Sequence, residues 1–442
     1  MIAHVIPRAH GSRLVAVMCL AEILCMTGFA TYPALLPVLR ADWRLSNGAA
    51  GLIGGILFLG YVVAVPLLTS LTDRIDARRV YLMSCLVAAS GTGLFAGVVS
   101  GFFGALTAQL LFGIGFAGIF MPGLKAMSDR IDEELQSRAV AMYMSLAGFG
   151  LAGSYFLAGI ISAHASWRLA FALATLGPLM AALLVLLLMP PRQPTAGAAS
   201  PGFFASFGIV LRNRQALGYT AGYIAHCWEV QGLRAWMVAF LSFAAGQANG
   251  WTGGLDAATI AALISLGGIA SSIGCNEFAK RLGRVNLVTG IMVTGLILGV
   301  ATGFSWRLSL VAVVVLVGLY YATMMADAGA LAAGTVAAAK PEQRGATLGV
   351  YSMLGYGAGL VAPTTFGVVL DLGGGAQSGW AWAASFAALA APNLLAIAVL
   401  RRLAAPGMPA RGLAPSVATR FGARLGAQRD VTRSGRAGTL GR

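Results

Sequence analysis

Ionisable side chains are scarce in this chain, and the few that fall inside long apolar runs are where chemistry is expected. The stretch Tyr223-Ile224-Ala225-His226-Cys227-Trp228-Glu229-Val230-Gln231-Gly232-Leu233-Arg234-Ala235-Trp236 lies within an apolar segment at 216–244. Glu22, Gln109 and Asp327 stand in similar surroundings. Ionisable groups at membrane depth are costly and normally face a partner or a water-filled cavity, which makes them functional candidates. Arginine stays charged and forks onto carboxylate-like groups, so Arg234 is the candidate anchor for an anionic substrate. The alternative is an ion pair with Glu22 or Asp327 that ties helices together. Low dielectric favours the neutral form of a carboxyl, so Glu22, Asp327 and Glu229 are candidate proton carriers, against structural hydrogen bonds. His226 lies next to Glu229 on a helical wheel, and the two are expected to meet. It is either a proton relay or substrate partner, or a packing histidine satisfied by Glu229. Tyr223, Tyr320 and Gln109 complete the expected substrate-binding set, while Trp228 and Trp236 read as helix-packing or interface residues.

These groups need elements to hold them, and composition says what those are. Of the 442 residues, 58% are hydrophobic and 10% charged. A soluble domain carries about 25% charged residues, so this composition leaves no surface for water and indicates a polytopic membrane protein. The 59 glycines suit close helix–helix approach. Cys19, Cys25, Cys85, Cys227 and Cys275 are odd in number, lack metal-ligand spacing, and read as small apolar fillers. No metal and no cofactor is expected. The net charge of +15 is not a nucleic-acid signal, because the basic residues stand between spans and in the tail, where they fix topology.

Apolar runs of about 20 residues mark spanning helices. They fall near 14–38, 49–71, 80–100, 103–125, 139–163, 168–189, 216–244, 257–279, 286–304, 309–335, 346–370 and 380–400. Arg74, Arg78, Arg79, Lys125, Arg130, Arg138, Arg192, Arg212, Arg214, Lys280, Arg281, Arg284, Lys340 and Arg344 all fall on one side of this topology. The other side holds only Arg40, Arg44, Arg168 and Arg307. The asymmetry predicts that both termini are cytoplasmic, in a bacterial-type inner membrane. The expected division is a short N-terminus at 1–13, a six-helix half at 14–189, a cytoplasmic linker at 190–215, a second half at 216–402, and a basic disordered tail at 403–442.

A weak internal repeat supports two halves. Thr69-Ser70-Leu71-Thr72-Asp73-Arg74-Ile75-Asp76-Ala77-Arg78-Arg79 and Asn276-Glu277-Phe278-Ala279-Lys280-Arg281-Leu282-Gly283-Arg284 are both short charged turns between the second and third spans of their half. The first resembles the loop signature of the major facilitator superfamily, Gly-x-x-x-Asp-Arg/Lys-x-Gly-x-Arg/Lys-Arg/Lys. It matches at Asp73, Arg74, Arg78 and Arg79 and departs at Thr69 and Asp76, where the family has Gly. The second copy keeps Arg281, Gly283 and Arg284. Gln109-x-x-x-Gly113-x-Gly115 in the fourth span is similar to the family's Arg-x-x-x-Gly-x-Gly. Gly148, Gly150 and Gly153 in the fifth span loosely resemble the antiporter motif, with Ser154 at the usual Pro position. His226, Trp228, Glu229, Arg234 and Trp236, with Asn276-Glu277, also resemble a branch near cyanate- and nitrate-type permeases.

The resemblance implies an all-α fold of twelve transmembrane helices in two pseudo-symmetric halves, with spans one, four, seven and ten lining a central pathway. Away from span ends the acidic and basic residues fall in those same spans. It also implies that Asp73, Arg74, Arg78, Arg79, Arg281 and Arg284 form a conformational latch, with Asp73 reaching a cation or helix N-terminus of the other half. The leading expectation is a monomeric, proton-coupled secondary transporter that takes up a small anionic or polar metabolite across the lipid bilayer by alternating access. Proton-antiport efflux of an amphipathic compound is the first alternative. A non-transporting sensor or assembly protein on the same scaffold is the second. No phosphate-cradling Gly-x-x-x-x-Gly-Lys-Ser/Thr, Gly-x-Ser-x-Gly or His-Glu-x-x-His motif occurs, so no enzyme is expected.

Overall fold

Continuous apolar sequence with few ionisable groups has one way to satisfy its backbone inside a bilayer, the α-helix. The structure, a computed structural model, describes residues 8–193, 208, 211–247, 254–340 and 343–404, without the side chains of 8–10, 137, 272–281 and 346. It is all helix, with no strand among the described residues. The first half comprises α1 (Arg8–Met26), α2 (Thr31–Asp42), α3 (Asn47–Leu71), α4 (Ala77–Gly97), α5 (Phe102–Ser128), α6 (Glu133–His164) and α7 (Trp167–Leu188). The second comprises α8 (Arg214–Gln247), α9 (Ala257–Leu282), α10 (Arg284–Phe304), α11 (Leu310–Ala326), α12 (Ala328–Ala338), α13 (Arg344–Leu372), α14 (Gly379–Ala390) and α15 (Pro392–Ala404).

Among the described residues, ten helical stretches are long and apolar enough to cross a membrane. Ala257–Ser271 is a shorter apolar helix. At 34 residues α8 has ample length, and its central His226, Glu229, Gln231 and Arg234 set it apart in polarity.

Three expected spans are broken rather than continuous. The first breaks between α1 and α2, where Ala30 N–H turns from the helix ladder to Ser154 Oγ at 3.0 Å. The tenth breaks at Asp327, between α11 and α12. The twelfth breaks at Ala391, just before Pro392, whose ring cannot continue a helix ladder. Apolar periodicity shows that a span exists; the break in the first span depends on a side chain elsewhere in the fold that accepts the freed N–H.

The halves meet along α3 and α13. Cβ atoms at Gly51 and Gly55 would collide with the carbonyls of Pro363 and Leu360. Only glycine lets these backbones approach so closely. Within the first half, Gly113 of the fourth-span motif lies in the same way against the Leu57 carbonyl.

The described hydrogen bonds of the loop between α3 and α4, where a latch is expected, stay within its own half in this conformation. Asp73, Arg74 and Arg79 are exposed, and Arg78 donates to the Leu186 carbonyl at 2.7 Å within its own half. The organising carboxylate is Asp76. It caps α4 by accepting the Arg78 N–H, and takes two bonds from Arg130 at 2.7 and 2.8 Å. It also accepts the Arg192 N–H at 2.8 Å, while Arg130 reaches the Pro190 carbonyl. Burial works to raise the Asp76 pKa, but the hydrogen bonds from Arg130, Arg192 and Arg78 and the Arg130 charge hold it below the usual carboxylate range. The Arg281 side chain lies outside the described residues, and Arg284 starts α10.

Candidate functional site

A cavity of about 250 Å³ lies between the halves. Its walls come from α1, the α1–α2 break, α5, α6, α8, α9, α11 and α13. Phe29, Phe116, Phe120, Tyr321 and Tyr356 supply rings, and Met26, Met144 and Met325 supply thioethers. Ser145, Gln231 and Ser265 are its neutral polar residues, and Arg234 is its one charged residue among those described.

Arg234 points from α8 toward α11. Its Nε and Nη2 donate to Tyr321 Oη at 3.0 and 2.8 Å, and Nη2 lies 3.8 Å from Met325 Sδ. Its own carbonyl accepts the Tyr155 hydroxyl at 2.6 Å, tying α8 to α6 of the other half. No carboxylate pairs with this guanidinium among the described residues, so the expected alternative of an ion pair with Glu22 or Asp327 does not occur here. Among the described residues the half-buried guanidinium meets phenol and sulfur, and Nη1 has no described protein partner.

The other candidates are set apart from the cavity. Buried Glu22 accepts the Tyr143 hydroxyl at 2.6 Å, and its Oε1 has no partner among the described residues. His226 and Glu229, expected to meet, face different neighbours. His226 Nδ1 lies 2.7 Å from Asp327 Oδ1 at the α11–α12 break. Glu229 accepts from Tyr320 Oη and Asn393 Nδ2, each at 2.7 Å. Adjacent wheel positions on a long helix open onto different grooves, and here α12 fills one while α11 and α15 fill the other. Tyr223 stacks on Tyr351 with centroids 3.9 Å apart and on His226 at 5.5 Å. Gln109 is buried and is not among the lining residues. Trp236 packs on Phe366 and Trp382 and donates to the Pro363 carbonyl, a packing role in line with its expected reading.

Sequence reasoning missed Tyr321, Met325, Asn393, Tyr143 and Arg130. Tyr321 follows Tyr320 directly, so two adjacent tyrosines in a helix serve two different acidic or basic partners. The doubled Tyr320-Tyr321 was the available signal. No group of three or more His, Cys, Asp or Glu that could hold a metal ion occurs among the described residues.

Residues 18–363 match the model of the Major Facilitator Superfamily, and the chain belongs to that family of membrane transporters. Protein spinster of Drosophila melanogaster is 25% identical over 234 residues. A probable 4-methylmuconolactone transporter of Cupriavidus pinatubonensis is 25% identical over 158 residues. Those matches take in 51% and 33% of this chain, which spans only 38% and 37% of the length of these two curated relatives. Among solved structures, a bacterial homologue of the human lysosomal transporter Spinster, inward-facing and unoccupied, superposes with a TM-score of 0.70 at 16% identity. That match covers 90% of this chain and 96% of the other. The nucleoside transporter NupG gives 0.68 at 15% identity, covering 90% of this chain and 100% of its own. At such identity the likeness concerns the fold.

Proposed function

We propose that the protein is a proton-coupled secondary transporter that takes up a small anionic or polar metabolite by alternating access. The observation that carries this is Arg234, a permanent cation on the cavity wall with no carboxylate beside it among the described residues. A charge left unpaired in a poorly solvated site is costly, and an arriving anion offsets that cost. Glu22, Asp327 and Glu229 are the proton carriers of this proposal. Each is buried, none has an Arg or Lys among its described partners, and each therefore changes the net charge of its half when it takes a proton. The His226–Asp327 pair stands at a helix break, where a change of charge alters the contact between α8 and α12.

The proposal includes a monomer in a bacterial-type inner membrane with the basic loops and both termini cytoplasmic. It keeps 190–215 as the linker between halves at 14–189 and 216–402. The linker residues 194–207, 209 and 210 and the tail at 405–442 lie outside the described residues. The rings and thioethers of the cavity also suit the second reading, efflux of an amphipathic compound by proton antiport.

The test is external pH in a suspension of proteoliposomes holding the full chain, after addition of small organic and inorganic anions. Alkalinisation with an anion, lost in Arg234→Gln, is expected. Proton movement only with amphipathic cations or neutral compounds would overturn uptake in favour of efflux.

A further inference from the structure

We infer that the cavity selects organic carboxylates of one negative charge with an apolar, preferably aromatic, body. The inference rests on the reading of this cavity as the substrate site. Among the described residues, one guanidinium and no acid line it. A monoanion brings the site to neutrality, a dianion leaves one charge uncompensated in a low-dielectric enclosure, and a cation adds to the charge already there. Tyr321 already occupies the Nε–Nη2 edge of Arg234, and Met325 Sδ lies 3.8 Å from Nη2, so Nη1, with two N–H groups, is the nitrogen left to meet a carboxylate oxygen. Gln231 stands one helical turn back on the same wall and supplies a neutral amide for the second oxygen. Apart from Ser145 and Ser265, the rest of the wall is rings, thioethers and aliphatic carbon, which bury a hydrocarbon body.

Calorimetric titration of the full-length purified chain with benzoate, 3-phenylpropionate, phthalate, benzamide and benzylamine tests this. The two monocarboxylates should bind about tenfold or more tighter than phthalate or benzamide. Arg234→Gln should bring benzoate down to the level of benzamide, and Arg234→Lys, which keeps the charge, should preserve the ranking. Phthalate binding as tightly as benzoate, benzylamine binding best, or no binding by either monocarboxylate would overturn the inference. Monocarboxylate binding without proton uptake would remove the transport reading and leave this one standing. Proton uptake with dianions alone would do the reverse.

A separate observation carries a second inference. On the face opposite the basic loops, the Asp371 carboxylate at the end of α13 accepts Asn47 N–H at 3.0 Å, Asn47 Nδ2 at 2.7 Å and Gly48 N–H at 2.8 Å. The Asn47 and Gly48 N–H groups belong to the first turn of α3 and have no partner inside their own helix, and a helix N-terminus attracts negative charge. The contact joins the two halves directly, beside the glycine-lined approach of α3 to α13. We propose that Asp371 is a positioning residue that latches this face shut, leaving Asp73 exposed on the other.

The readout is the labelling rate of Ala239→Cys by a maleimide, compared with the parent chain and its native cysteines. Ala239 lines a second cavity, about 320 Å³, on the latched face. Asp371→Ala should raise that rate about fivefold, Asp371→Asn should raise it less, and Asp371→Glu should restore it. An unchanged rate in both Asp371→Ala and Asp371→Asn, with both proteins folded by melting temperature, would overturn the latch.

Discussion

Asp76→Asn should destabilise the protein by about 3 kcal/mol at pH 7. The side chains of Asp76 and Arg130 are 8% and 3% exposed, and their closest N–O distance is 2.7 Å. Removing one partner of a buried pair costs about 3–5 kcal/mol, because the other charge stays behind uncompensated. The lower end applies here. Asn keeps a side-chain oxygen for the Arg78 N–H, and Arg130 keeps the carbonyls of Ala126 and Pro190. Arg130→Gln in the same background should recover much of the loss, so the double-mutant cycle should give a coupling of about 2 kcal/mol. The assay is unfolding by SDS in mixed micelles. The sign of the pH dependence follows from the lowered pKa. The extra stability of the ionised carboxylate is complete above the unfolded value of about 3.9 and is lost as pH falls through the folded value. The gap between Asp76→Asn and the parent should therefore close in acid. A loss under about 1 kcal/mol at pH 7, or a gap that widens in acid, would refute the reasoning.

Other perturbations address the site and the packing. Glu229→Gln should slow pH-gradient-driven accumulation about tenfold or more while leaving counterflow exchange intact, since the neutral amide cannot carry the proton but preserves the fold; equal loss of both would argue for a structural carboxyl. Ser154→Ala leaves the Ala30 N–H without its acceptor at the α1–α2 break. It should cost about 1–3 kcal/mol in the same unfolding assay, with Ser154→Thr close to the parent. Gly51→Val forces α3 from the Pro363 carbonyl and should cost about 1–3 kcal/mol while raising maleimide labelling at position 239. A stable variant with unchanged labelling would mean the two backbones have room to move apart.

The departures from the family's motifs proved more informative than the matches. Asp76 replaces a glycine, and its carboxylate is the hub for Arg130, Arg192 and the α4 cap. Ser154 replaces a proline, and its hydroxyl accepts the N–H freed where the first span breaks. Neither bond was legible in the chain, because the partners lie 54 and 124 residues away. The matching residues Asp73, Arg74 and Arg79 stand exposed in this conformation.

The sequence alone determined that the protein is helical and lives in a bilayer, that its chain is a series of long apolar helices, and which few polar groups lie deep inside them. Those are local properties: length and continuity of apolar sequence dictate helix, and the cost of burying an ionisable group makes each one conspicuous. Tertiary structure alone decided which partner each polar group takes. His226 and Glu229 are three residues apart on one helix, yet one meets Asp327 and the other Tyr320 and Asn393. Arg234 is left with phenol and thioether rather than a carboxylate. A helix fixes the directions of its side chains, but what waits in each direction depends on how α11, α12 and α15 pack around it. That packing is set by long-range contacts that no local pattern encodes.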